Sequence, residues 1–218
     1  GETSPGIEDK QSTGNKDEQT VNDDQNILKK YGIYSRFILA VGTIEPRKNY
    51  EVLVEAYKEL VSRSDISHKL VICGKKGWKY DGILDKLNHP SLKERVIITG
   101  YVAQELLPVF YRQADLFVYP SLYEGFGLPP LEALSHGVPV ITSNVASLPE
   151  VVGDAALTFK PDDVRELADL MLRVLKDDKL RNSLREKGPE QAKKFSWRTT
   201  AEKTIEIYRQ LLKKEEAI

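Results

Sequence analysis

The stretch Tyr119–Thr142, YPSLYEGFGLPPLEALSHGVPVIT, restricts the possible folds more than any other part of the chain. It begins as the tail of an apolar strand, Leu116 to Tyr119. A loop holding Gly125 and Gly127 follows, then Pro129 and Pro130, the helix-like run LEALSH, Gly137 and a second apolar strand, VPVIT. Strand, glycine loop, helix and strand make a βαβ unit, which sets a loop and a helix start at the carboxyl edge of a parallel sheet. Open α/β sheets bind their ligands at that edge. Prolines are tolerated in a first helical turn, where the backbone N–H groups lack intrahelical partners. Glu124 stands before the loop and Glu132 is expected inside the first helical turn, both facing the same edge.

The flanking sequence repeats the alternation. FILAVG (Phe37–Gly42), KLVICG and RVIITG (Arg95–Gly100) are short continuous apolar runs, as strands buried on both faces require. Between them Val52, Leu53, Ala56, Tyr57 and Leu60 recur at helical spacing after Asn49, a candidate helix cap. WKYDGILDKLN is expected to form a short helix and Ala103–Gln113 a further one. ALTFK (Ala156–Lys160) reads as a last strand, Asp162 as the cap of the next helix, and Asp178–Lys194 and Ser196–Lys214 as closing helices. The pattern predicts an α/β fold: one Rossmann-like domain over residues 27–218, a parallel sheet flanked by helices, with a helical C-terminus. Residues 1–26 carry almost no large apolar side chains, cannot bury enough surface to offset ordering, and read as a flexible polar segment or linker remnant.

Composition narrows the function classes. With 218 residues, 40% of them hydrophobic and 30% charged, the chain can bury one good core. A net charge of −1 gives no general attraction to nucleic acid. No apolar run reaches the ~20 residues of a membrane span, and no signal peptide is visible. The single cysteine, Cys73, lies in an apolar run and reads as a buried small hydrophobe. Disulfides are excluded, and a reducing, cytoplasmic setting fits. No spaced Cys/His cluster marks a metal site, so none is expected.

Several residues have chemistry that suits this edge. Arg47 and Lys48 follow the first strand; two cations there can hold a diphosphate, or can be an exposed loop pair. Glu132 offers acceptors only, as a pair of vicinal hydroxyls requires, or is an acid favoured by the helix dipole. Glycine at positions 125 and 127 permits close backbone approach to a ligand, and Phe126 between them is either a site residue or core. Gly74 and Lys75 end the second strand at the same edge, Lys75 being a secondary phosphate or sugar candidate. His68 and His89 read as surface residues, and His136 as a helix C-terminal residue without a role.

These blocks, in register from GTIEPRKN (Gly42–Asn49) through LVICGKKGW, TGYV, ADLFVYPSLYEGFGLPPLEAL and GVPVITSNVASLPEVVGDAAL to FSW (Phe195–Trp197), resemble the retaining glycosyltransferase family 4. The resemblance runs from about Arg36 to the C-terminus. It implies the two-domain GT-B fold, with this chain its C-terminal, donor-binding half. SPGIE at Ser4–Glu8 resembles the step after the family's domain crossover, which implies that the N-terminal acceptor domain is absent here. Any peripheral membrane contact would run through that half. The resemblance assigns Arg47 and Lys48 to the leaving nucleoside diphosphate and Glu124 to the donor sugar. It assigns Glu132 to the ribose. Gly42, Gly74, Gly125, Phe126, Gly127 and Leu128 would line the donor, and Tyr101 and Val102 would cradle the base. Many members carry Arg where Thr43 stands, so Arg47 is expected to supply that charge. The implied substrate is a GDP- or UDP-sugar, with no separate cofactor, transferred with retention to an acceptor hydroxyl. The isolated chain is expected to have little or no turnover. An inert nucleotide-sugar-binding module and a nucleotide-sugar epimerase are the alternatives.

Overall fold

The computed structural model describes residues 22–78, 82–83, 86 and 89–215. Six parallel strands form one sheet: β1 (Phe37–Val41), β2 (Lys69–Cys73), β3 (Val96–Gly100), β4 (Leu116–Tyr119), β5 (Val140–Ser143) and β6 (Ala156–Phe159). Their spatial order is β3-β2-β1-β4-β5-β6. The chain therefore winds outward from β1 to one edge, returns, and winds from β4 to the other. Between β1 and β4 the order reverses, and in doubly wound sheets that reversal opens the ligand crevice. β1, β4 and β5 are buried along their whole length, which explains why they read as continuous apolar runs.

Helices cover both faces. An α-helix over residues 22–30 (α1) leads into β1, and α2 (Tyr50–Arg63) links β1 to β2. On the later half lie α3 (Leu107–Gln113), α4 (Leu128–Ser135), α5 (Leu148–Val152), α6 (Val164–Lys176), α7 (Asp178–Ala192) and α8 (Trp197–Glu215). One core cluster joins α2 and α6 to Ile38, Ala40, Leu70, Ile72, Val118 and Ile141. The other joins α1, α3, α4 and α5 to Phe37, Leu39, Val71, Phe117, Tyr119 and Val140. Alternate residues of the same strands feed opposite cores, as the two-residue period of a strand dictates.

Several expectations change. Residues 22–26, expected in the polar segment, are helical, and buried Asp24 accepts hydrogen bonds from Arg112 and Gln113. Residues 1–21, with SPGIE, lie outside the described residues, as does most of WKYDGILDKLN. The helix expected from Ala103 starts at Leu107, with a turn over residues 104–106 before it. Asp163, not Asp162, caps α6, its carboxylate accepting from the Glu166 N–H at 2.8 Å. Asn49 precedes α2 but does not cap it through its side chain; its amide instead donates to the carbonyls of Pro120 and Pro161. His68 is buried, not superficial, and pairs with Asp115, which Arg36 also grips through two hydrogen bonds. Burial works against the Asp115 charge, but His68 and Arg36 outweigh it and hold its pKa well below the ordinary carboxylate range. Cys73 is buried as expected, and burial pushes its pKa up to about 12.

Candidate functional site

The carboxyl ends of β1 and β4 lie side by side, so the loops that follow them meet. After β1 the chain makes a 3-10 turn, Pro46–Lys48, which ends at Asn49 in the left-handed conformation with φ 54°. That turn directs Lys48 inward. The residue is only 8% exposed, and its ammonium donates to the Tyr119 hydroxyl and to Glu124 Oε1, both at 2.6 Å. The Tyr119 hydroxyl in turn donates to Glu124 Oε1 at 2.9 Å, closing a triangle of cation, phenol and carboxylate. Burial tends to raise the Glu124 pKa, but the hydrogen bond and charge of Lys48 outweigh it and hold it below its ordinary value. Burial, followed by the Glu124 charge, pushes the Tyr119 phenol far above its ordinary value, so it stays protonated.

Arg47 lies on the outer side of the same carboxylate. It meets Glu124 Oε2 at 2.9 Å, the Tyr123 carbonyl at 3.0 Å and Glu45 at 2.9 Å. The Leu122 N–H donates back to the Arg47 carbonyl at 2.8 Å. Arg47 thus fastens the β4 loop to the β1 loop, and three of its neighbours already occupy its guanidinium. Lys48, a compact cation with three donors, has used two of them.

The glycine loop is fixed from below. Ser147 donates to the carbonyls of Glu124 and Phe126 at 3.1 and 2.7 Å. Gly127 has φ 113°, and a Cβ there would stand 2.8 Å from Leu148 Cδ2, so this position excludes side chains twice over. Gly125 has no such restriction. Gly74 is glycine because β1 and β2 close on each other: a Cβ would fall 1.9 Å from the Gly42 carbonyl oxygen. Phe126 is not core. It is 41% exposed and meets Phe195 edge-on at 5.6 Å, beside exposed Leu128 and Trp197. Helix α4 starts at Leu128, earlier than the run LEALSH suggests, so Glu132 falls in its second turn, not its first. There it accepts from the Tyr111 hydroxyl at 3.0 Å.

At the far end of the edge, Val102 is buried, while Tyr101 is 64% exposed with the Lys75 ammonium 4.5 Å above its ring. The structure therefore joins Arg47, Lys48 and Glu124 directly and hangs the glycine loop from Glu124. It sets Glu132 on a separate partner and places Tyr101 and Lys75 toward the β3 side of the sheet, away from β4. Sequence reasoning passed over Tyr119, Tyr111 and Ser147. The signal for Tyr119 was a hydroxyl at the carboxyl end of an otherwise apolar strand. Among the described residues, no three of His, Cys, Asp and Glu gather as metal ligands, and no helix is long and apolar enough to cross a membrane.

A family model described as glycosyl transferases group 1 matches residues 23–191. The O-antigen chain mannosyltransferase B of Escherichia coli is 43% identical over 85% of this chain and 49% of its own length. A serotype-specific mannosyltransferase of the same organism is 37% identical over 86% of this chain and 23% of its own. The chain thus spans half or less of these relatives. Sucrose-phosphate synthase from Thermosynechococcus elongatus superposes with a TM-score of 0.75 at 29% identity, over 88% of this chain and 49% of that one. The parallel sheet, flanking helices and helical C-terminus are those of the C-terminal half of a GT-B fold.

Proposed function

Because this chain belongs to the group 1 glycosyl transferases, we propose that it is the donor-binding half of a mannosyltransferase of polysaccharide assembly. Two relatives named as mannosyltransferases support the sugar, and the buried Lys48–Tyr119–Glu124 triangle at the carboxyl edge is the observation that carries the donor site. The donor is a mannosyl nucleoside diphosphate, GDP- or UDP-linked. Lys48 turns its remaining proton to the diphosphate, while Arg47 holds the β4 loop and faces the same charge. The amides of Gly125–Gly127 complete the anion's surroundings, in keeping with charge stabilisation as the main aid to departure. Glu132 takes the ribose hydroxyls, and the Tyr101 end receives the base.

The bond between the anomeric carbon and the β-phosphate oxygen breaks, with its electrons leaving on the phosphate. The acceptor hydroxyl bonds to the same carbon on the same face, and its proton passes to the departing phosphate. Configuration is retained, no metal is needed, and no protein base is called for. The acceptor is held by an N-terminal half. Helix α8, with Trp197, Ile205, Tyr208, Leu211 and Leu212 among its exposed residues, reaches toward that half. A cytoplasmic setting belongs to the same proposal.

The test is calorimetric binding of GDP-mannose and UDP-mannose to the chain, followed by a transfer assay with and without the N-terminal half. Binding without turnover by the chain alone is expected. Failure to bind any nucleoside diphosphate would refute the reading.

A further inference from the structure

Two buried tyrosines stand beneath the two carboxylates of the loop-and-helix unit, and the bond-making and bond-breaking of the proposed transfer use neither hydroxyl. Tyr119, 1% exposed, links Lys48 to Glu124. Tyr111, also 1% exposed, donates to Glu132 Oε2 at 3.0 Å. They belong to one aromatic tier. Phe117 lies between them, edge-on to Tyr111 at 5.6 Å and nearly parallel to Tyr119 at 6.0 Å, and His136 stacks on Tyr111 at 5.4 Å. Packed rings have no freedom to follow a moving ligand, so their hydroxyls are fixed points.

A phenol suits the Lys48 position because one oxygen accepts from an ammonium while its proton goes to a carboxylate. Lysine, with four stem bonds, is among the side chains with most rotamer freedom to lose, so a second fixed partner holds it in place. Glu132 has its Oε2 held by Tyr111, which leaves Oε1 for a ligand.

We propose that Tyr119 and Tyr111 are positioning residues. Tyr119 fixes Lys48 and Glu124 for the diphosphate and sugar end of the donor, and Tyr111 fixes Glu132 for the ribose end. Each acts through its neighbour, without touching the ligand. The proposal rests on the donor-site reading and deepens it, dividing one crevice into two separately supported halves.

The test titrates the chain and its Tyr119→Phe and Tyr111→Phe variants with GDP, guanosine and 2′-deoxy-GDP, and with the uridine set, recording thermal midpoints alongside. With Tyr119→Phe, diphosphate affinity falls about 5-fold or more while nucleoside affinity stays within about 2-fold; in a Lys48→Met background the same change costs nothing further. With Tyr111→Phe, the preference for ribo- over 2′-deoxyribonucleotides narrows, and diphosphate and nucleoside weaken by the same factor. A purely structural role would lower the thermal midpoint and leave these ratios untouched, which would overturn the proposal. So would an equal cost of Tyr119→Phe with and without Lys48. A chain that binds neither GDP nor UDP overturns the donor-site reading as well; a chain that binds both but whose variants keep the wild-type ratios overturns the positioning roles alone.

Discussion

Replacing Lys48 by methionine keeps most of the stem and removes the ammonium from a pocket where the residue is 8% exposed and has two partners. Hydrogen bonds to charged groups contribute about 1.5–3 kcal/mol. At about 1.4 kcal/mol per tenfold, nucleoside diphosphate affinity should fall roughly 10- to 150-fold. Nucleoside affinity should not change, because the base and ribose contacts are proposed at Tyr101 and Glu132, away from Lys48. Stability should fall much less than the loss of a stranded ion pair implies. Glu124 keeps Arg47 at 2.9 Å on one oxygen and Tyr119 at 2.9 Å on the other, so its charge stays satisfied. The lysine's own desolvation cost also disappears. A net loss of about 1 kcal/mol follows, or roughly 2–4 °C in the thermal midpoint for a domain of this size. Titration calorimetry of GDP against guanosine and of UDP against uridine, at one fixed salt concentration, reads the difference directly. Equal weakening of nucleoside and diphosphate, or no weakening of either, would refute the assignment of Lys48 to the phosphates.

Glu132→Ala should weaken GDP, UDP and their nucleosides alike by about 10-fold and abolish preference over the 2′-deoxy forms; unchanged affinities in competition titrations would remove the ribose contact. Gly127→Ala should cost about 2 kcal/mol or more of stability, since a Cβ at φ 113° also meets Leu148 Cδ2 at 2.8 Å; denaturant midpoints check this, and a neutral effect would show that the loop relaxes. Asp115→Asn should destabilise by about 2 kcal/mol, because buried His68 and half-exposed Arg36 lose their shared carboxylate. Since the folded pKa of Asp115 lies below its ordinary 3.8, its contribution is present above that value and disappears as the pH falls beneath it. The unsubstituted chain should accordingly lose more stability than the variant between about pH 4 and about pH 2, as followed by denaturant melts.

Most of the fold was legible because its strands are buried on both faces, and continuous apolar runs such as Phe37–Val41 have few other uses. The meeting of Lys48 with Glu124 also followed from placing both loops at one sheet edge. What escaped depends on partners remote in sequence. His68 looks superficial until Asp115 and Arg36 arrive beside it, and Asn49 has a cap's chemistry, yet two distant carbonyls take its amide. Glu132 moved to the second helical turn because α4 begins at Leu128, ahead of the two prolines that were expected to open it. Tyr111 and Tyr119 were passed over, since no local pattern reveals which buried phenol meets a carboxylate.

Strand β4 enters the sheet beside β1 although 71 positions separate Lys48 from Tyr119 along the chain. During synthesis from the N-terminus, β1, β2 and β3 leave the ribosome first, and the slot beside β1 stays open until β4 arrives. Under the proposed donor-site reading, a nucleotide sugar would find no grip at that stage, and the grip would appear only when the two windings of the sheet join. Saturating ligand should therefore slow unfolding without hastening refolding.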